Sequence, residues 1–182
     1  MTPKKSANER TFQGELFRII AKILLEEKEI YFEKITQEEN IGTGSTQRFA
    51  DGLLYSSAFK NRRVLFELKN TSWDATDEKL ITSALHKAVD AGIDYFVCGT
   101  PRQLVIFKSF EPNTTIYERK KKIYTISNVK KDDEVLLSSY EKTIYPELKK
   151  FLKDLSDLIN DFRELIWDSI DKFFVNKYSK FR

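Results

Sequence analysis

Apolar residues along this 182-residue chain recur in two rhythms, and the switches between them mark out its elements. Phe12, Leu16, Ile19, Ile20, Ile23 and Leu24 follow at three- and four-residue steps, which lines one face of a helix over residues 12–27. The polar stretch "TQEENIGTGSTQ" after it reads as a loop. Its Gly42 and Gly44 lack both a following Gly-Lys-Ser/Thr and a strand–helix frame, so a phosphate cradle is not expected there. Two apolar runs, residues 48–56 and 63–68, then predict strands joined by the polar turn "SAFKN", a pairing that suits an antiparallel hairpin.

After Asn70 the helical period returns in "DATDEKLITSALHKAVDAG". Asp74 and Asp77 are cap candidates, Leu80, Ile81, Ala84, Leu85 and Ala88 form the apolar face, and Gly92 is the stop. "DYFVCGT" and "QLVIFKS", separated by "PR", predict two more strands, and a polar pair is expected through "TTIYERKKKIYTI". Toward the C-terminus, Pro146 suits a first helical position. Leu148, Phe151, Leu152, Leu155, Leu158, Ile159, Phe162, Leu165, Ile166, Ile170 and Phe173 then predict one long amphipathic helix. Such a helix either packs on the preceding domain or leads to a partner. The expected organisation is a tail over 1–10, an α/β domain over 11–131 and a C-terminal helical extension or linker over 132–182.

Composition narrows the chemistry. One cysteine, Cys98, rules out an internal disulfide, and one histidine, His86, leaves too few soft ligands for structural zinc. A metal here would be a hard cation held by oxygen. The net charge is only +3, yet basic residues cluster at Lys4-Lys5, Arg62-Arg63 and Arg119-Lys120-Lys121-Lys122, which is compatible with a polyanionic partner. The opening "MTPKKSANERTFQGE" has no apolar signal segment, and no apolar run approaches the roughly 20 residues of a membrane span, so a cytoplasmic location and no membrane partner are expected.

Charges at the ends of apolar strands are the feature that needs explaining. Glu-x-Lys occurs four times, beginning at Glu26, Glu67, Glu118 and Glu147, but only Glu67-Leu68-Lys69 closes a strongly apolar strand, "VLFELK". The two-residue period puts Glu67 and Lys69 on one face and Leu68 on the other. Hairpin pairing brings Asp51, from the preceding strand, beside Glu67. Two adjacent carboxylates in a semi-buried place repel and call for a cation. Mg²⁺ suits Asp51, Glu67 and the Leu68 carbonyl, with Lys69 facing a water nucleophile or a phosphate. The plainer alternative is a turn capped by Asp51 and a Glu67–Lys69 salt bridge on a solvated strand face.

The order of elements and the stretches "RFADGLLYS", "RRVLFELKN" and "DEKLITSALHKAVDAGIDYFVCGTPRQLVIFK" resemble the PD-(D/E)xK nuclease superfamily over residues 11–110. Within it they look like the N-terminal nuclease domains of type I restriction motor subunits and fused type II restriction–methylation enzymes. The resemblance implies a restriction-endonuclease-like α/β core of helix, mixed central sheet and helix. It further implies a Mg²⁺-dependent endonuclease, Mn²⁺ substituting, that hydrolyses DNA to 5′-phosphate and 3′-hydroxyl ends. Asp51 and Glu67 would be metal ligands, Lys69 the catalytic lysine, and Glu15 an additional acid from the first helix.

Two departures stand out: Ala50 replaces a frequent proline, and Ser83 and Lys87 occupy the second-helix positions where many relatives carry Gln and Tyr. Lys87, with Arg119, Lys120, Lys121 and Lys122, is a candidate DNA-phosphate contact. Homodimerisation, and association with a helicase or methyltransferase and a specificity domain or subunit, are expected partners. The competing class is a non-catalytic nucleic-acid-binding or assembly module that keeps the fold, and an RNase or single-strand nuclease is a variant of the same chemistry. His86 and Trp73 read as a helix-surface residue and a packing residue, and Cys98 as a small buried hydrophobe.

Overall fold

A computed structural model describes residues 3–42, 48–59, 62–133, 135 and 137–160, without the side chains of 3–8, 137 and 138. The first helix, α1 (Pro3–Glu26), buries Phe12, Leu16, Ile19, Ile20 and Ile23 of the stripe that its periodicity predicts, with Phe17 buried beside them and Leu24 half-buried. It begins well before residue 12, because proline is tolerated in a first turn and "KKSANER" holds no helix breaker.

The strands are β1 (Phe32–Asn40), β2 (Phe49–Ser56), β3 (Arg63–Leu68), β4 (Tyr95–Gly99), β5 (Gln103–Lys108) and β6 (Lys120–Thr125). They form one sheet in sequence order. All neighbours are antiparallel except β3 and β4. That parallel pair needs a crossover, which α2 (Glu78–Asp90) supplies. Gly92, at φ 63°, ends the crossover helix: Ile93 N–H donates to Ala88 O at 2.8 Å and the chain turns into β4.

Three sequence expectations are corrected here. The first five residues of the supposed loop, 36–40, are the second half of β1, an edge strand too polar for an apolar period to show, while 43–47 of it lie outside the described residues. The polar pair expected before residue 126 is the single strand β6. The C-terminal helix, α3, spans Leu137–Ile159, so Pro146 lies inside it rather than at its start. That proline is on the exposed side, where the missing N–H costs a solvent-facing bond instead of a buried one.

Both faces of the sheet are covered. On one, α1 and α3 pack over Leu54, Val64, Phe66, Leu68, Val97, Leu104 and Ile106. On the other, α2 brings Leu80, Ile81, Ala84 and Ala88 onto Leu53, Leu65, Phe96, Cys98, Val105 and Phe107. Phe151 of α3 stands edge-on to Phe66 at 6.2 Å and to Tyr124 at 5.2 Å. Over its described length α3 is therefore part of the core and not an appendage to it. The helical pattern read over 161–182 falls outside the described residues. Among the described residues no helix is long and apolar enough to cross a membrane.

Candidate functional site

Strand alternation decides where the charges go. In β3, Val64, Phe66 and Leu68 face α1 and α3, which leaves Leu65 and Glu67 facing α2. Gly52 pairs with Phe66 across the β2–β3 hairpin, and one more step of that register sets Asp51 opposite Glu67. Asp51 Oδ2 accepts the Leu68 N–H at 2.6 Å, so the aspartate closes the hairpin where the ladder runs out.

Glu67 is only 4% exposed and is held from the crossover helix: Lys87 Nζ lies 2.6 Å from its Oε2 and the Ser83 hydroxyl 3.5 Å from its Oε1. Ser83 and Lys87 are one turn apart, which places both on the α2 face that lies over the sheet. Lys69, just beyond β3, does not pair with Glu67. Its Nζ meets Glu9 Oε1 at 3.0 Å. A solvated Glu67–Lys69 bridge is thus not how these residues are arranged.

The electrostatics follow from this packing. Burial, together with the charge of Glu67, pushes the Asp51 carboxyl from 3.8 up to about 6, although the Leu68 N–H, Lys69 and Lys87 pull the other way. Burial pulls the Lys69 ammonium down, but the hydrogen bond and charge of Glu9, with Asp51 and Glu67, outweigh it and leave the pKa above 10.5. Burial and the Glu67 charge raise the Cys98 thiol well above its ordinary range, consistent with a small apolar filler.

The remaining candidates lie elsewhere. Glu15 is taken by Arg18 in a two-pronged contact at 2.7 and 3.0 Å, and Arg18 continues to Glu141 of α3 at 2.5 Å. Among the described residues no three His, Cys, Asp or Glu side chains gather as a metal-holding group, so Glu15 does not join Asp51 and Glu67. The α1 acid that reaches the site is Glu9, six residues earlier on the helix. Lys87, expected at DNA or in solvent, is instead drawn in by Glu67, with its side chain 19% exposed.

Of the basic run, Arg119 donates to Ser109 O at 2.5 Å, Lys121 pairs with Glu111 at 2.7 Å, and Lys122 pairs with Asp154 at 2.5 Å. Lys120 is exposed at the start of β6. The run is a lysine-protected sheet edge, most of whose charge is met within the protein. Trp73 packs against the α2 side of the core and, with Ser72, Lys79, Thr82, Ser83 and the exposed His86, lines an open groove that reaches the site at Ser83.

Among solved structures, the chain matches the crystal structure of the type IIG restriction endonuclease BpuSI. The TM-score is 0.59 at 15% sequence identity, over 83% of this chain and 17% of that one. The architecture is thus a restriction-endonuclease-like α/β fold. The chain spans about a sixth of the length of that enzyme. No family model matches the sequence, and no curated protein matches it.

The donor set bears on which ion would suit. Asp51 and Glu67 are hard oxygen donors at one end of the hairpin, and the raised Asp51 pKa reflects first its burial and then the neighbouring charge of Glu67. A divalent cation that takes few protein ligands and keeps its own waters fits such a pair, which describes Mg²⁺ better than Ca²⁺ or Zn²⁺.

Proposed function

We propose that the chain is a PD-(D/E)xK-type, metal-dependent endonuclease acting on DNA phosphodiester bonds, the cleavage domain or subunit of a restriction-modification or related defence system. The observation that carries this reading is the convergence of Asp51, Glu67 and Lys69 at one end of the β2–β3 hairpin, inside a restriction-endonuclease-like fold. Asp51 and Glu67 would hold Mg²⁺, with the Leu68 carbonyl as a further oxygen donor. When bound, Mg²⁺ supplies Lewis-acid polarisation of the phosphate and a more acidic water.

The chain's own residues do the rest. The Leu68 N–H fixes Asp51, so that one carboxylate is oriented before substrate arrives. Ser83 and Lys87 hold Glu67 from the opposite layer. Lys69 stays charged at neutral pH because Glu9 outweighs the effect of burial, and its ammonium is available to orient the attacking water and to meet charge growing on the phosphate oxygens. Glu9 also limits where Lys69 can point, which makes it a positioning residue.

The other reading, a non-catalytic module of the same fold, is favoured by one fact: Lys87 and the Leu68 N–H already satisfy Glu67 and Asp51 without metal. Supercoiled plasmid incubated with Mg²⁺, Mn²⁺ or EDTA separates the two. Metal-dependent nicking or linearisation, lost in Lys69→Ala and in Glu67→Ala by roughly 10²-fold or more, is the expected result. DNA binding without cleavage under either metal, and metal binding indifferent to Glu67→Ala, would establish the module instead. Duplex, single-stranded and RNA substrates compared side by side define the substrate class.

A further inference from the structure

We propose that Lys87 is the resident counter-ion of Glu67 and gates the metal position: a divalent ion gains Glu67 only as the Lys87 ammonium withdraws, so Lys87 sets the metal affinity of the site. This rests on the reading of Asp51 and Glu67 as metal ligands. Both oxygens of Glu67 are engaged from α2, Oε2 by Lys87 at 2.6 Å and Oε1 by Ser83 at 3.5 Å, and the residue is 4% exposed. Mg²⁺ binds carboxylate oxygen at about 2.0–2.1 Å. An ammonium 2.6 Å from the same oxygen would then face it across a few ångströms with little water between. Like charges that close and that shielded repel strongly.

Lys69 is poorly placed to yield instead of Lys87, since it has its own acid in Glu9 at 3.0 Å. Asp51 cannot supply the missing room, because its Oδ2 is committed to the Leu68 N–H at 2.6 Å. Lys87 differs from both: its ion pair among the described residues is with Glu67 itself, and unlike the short Asp51 side chain its head sits on four rotatable methylenes. The open groove beside Ser83, one turn earlier on α2, lies next to the site. A displaced Lys87 becomes a cation at the edge of the site, complementary to an incoming phosphodiester. A lysine at this helix position thus lets the two carboxylates be buried before metal arrives, at the cost of weaker metal binding.

The probe is Mn²⁺, with free ion counted by electron paramagnetic resonance, which needs no catalysis. Lys87→Met is expected to bind Mn²⁺ roughly ten-fold more tightly than the unaltered chain, since one repelling charge is gone. Lys87→Arg, which keeps the charge, should stay within about two-fold of it. A folded Lys87→Met, judged by circular dichroism, that binds no tighter overturns the gate.

A second measurement uses the unaltered chain and so survives a variant that fails to fold. The rate of Lys87 acetylation by acetic anhydride, read by mass spectrometry, should rise when Mn²⁺ is added, and an unchanged or slower rate overturns the proposal. Failure of the metal reading looks different. There the unaltered chain binds no Mn²⁺, Glu67→Gln changes nothing, and the gate falls with it.

Discussion

Asp51 shows what a single buried residue does to the pH response of the whole protein. Its folded pKa of about 6 lies above the ordinary 3.8, so between those values the folded chain holds a proton that the unfolded chain has released. Stability from this group is present below the lower value and is lost as pH rises through about 6. Without metal, the melting temperature of Asp51→Asn, whose amide oxygen can still accept the Leu68 N–H, should therefore gain on that of the parent as pH goes from about 4 to 7. Thermal melts in EDTA across that range check this, and parallel pH profiles would refute it. On the proposed reading of Asp51 as a metal ligand, metal would reverse the preference, because a ligand carboxylate must be ionised, and Mg²⁺ affinity should climb as pH passes about 6. Asp51, Glu67 and Lys69 were legible in the sequence because charge at the end of an apolar strand demands a reason. Glu9 was not, since it sits in a polar stretch ahead of the periodic part of α1. Lys87 was legible as a second-helix candidate for DNA phosphate, but not as the partner of Glu67, because its stem carries its head toward that carboxylate from between the buried Ala84 and Ala88.

At the level of elements, periodicity revealed what was buried and missed what was not. Strands β2 to β5 and helix α2 are dense in apolar positions and were found nearly to the residue, whereas the edge strand β1 has one buried residue among nine and its second half was taken for loop. Helix α3 was found late because Pro146 looked like a start, when Tyr140 and Ile144 ahead of it already belong to the buried stripe. Two glycines offer a paired test of how these elements meet. A Cβ on Gly52 would strike the buried Phe17 ring, with Cε2 and Cε1 at 2.9 and 3.0 Å, and that ring is itself set edge-on to Phe66 at 6.0 Å. Gly52→Ala must push α1 away from the strand that carries Asp51, at a cost of about 1–3 kcal/mol. Gly14 lies in the body of α1 with nothing within 4 Å of an added Cβ. Gly14→Ala should stabilise by about 0.5–1 kcal/mol through backbone entropy. Urea unfolding of the two variants gives both signs, and a neutral Gly52→Ala would mean that α1 packs less closely on β2 than the structure shows.

For the molecule as a whole, charge balance limits how it can hold DNA. The sequence carries 31 Lys and Arg against 28 Asp and Glu. The basic cluster that most resembles a phosphate-binding surface, on β6, is spent on Glu111, Asp154 and the Ser109 carbonyl. At the site itself the cations are Lys69 and Lys87, with Lys79 on the adjoining groove. Since each neutralised phosphate adds about −0.9 to the slope of log K against log salt, a chain with two or three such contacts should bind duplex DNA weakly, with a slope no steeper than about −3. Fluorescence anisotropy of a labelled duplex between low and moderate salt measures it, in Ca²⁺ to prevent cutting. Replacing Lys120, Lys121 and Lys122 by serine should change that slope by less than one contact, because two of the three lysines already have acidic partners. A slope steeper than about −6, abolished by those substitutions, would instead make β6 the DNA-binding face. A shallow slope has a consequence for the proposed enzyme: affinity and site choice would have to come from a second copy or from attached recognition elements. The chain matches 17% of the length of the type IIG restriction endonuclease BpuSI.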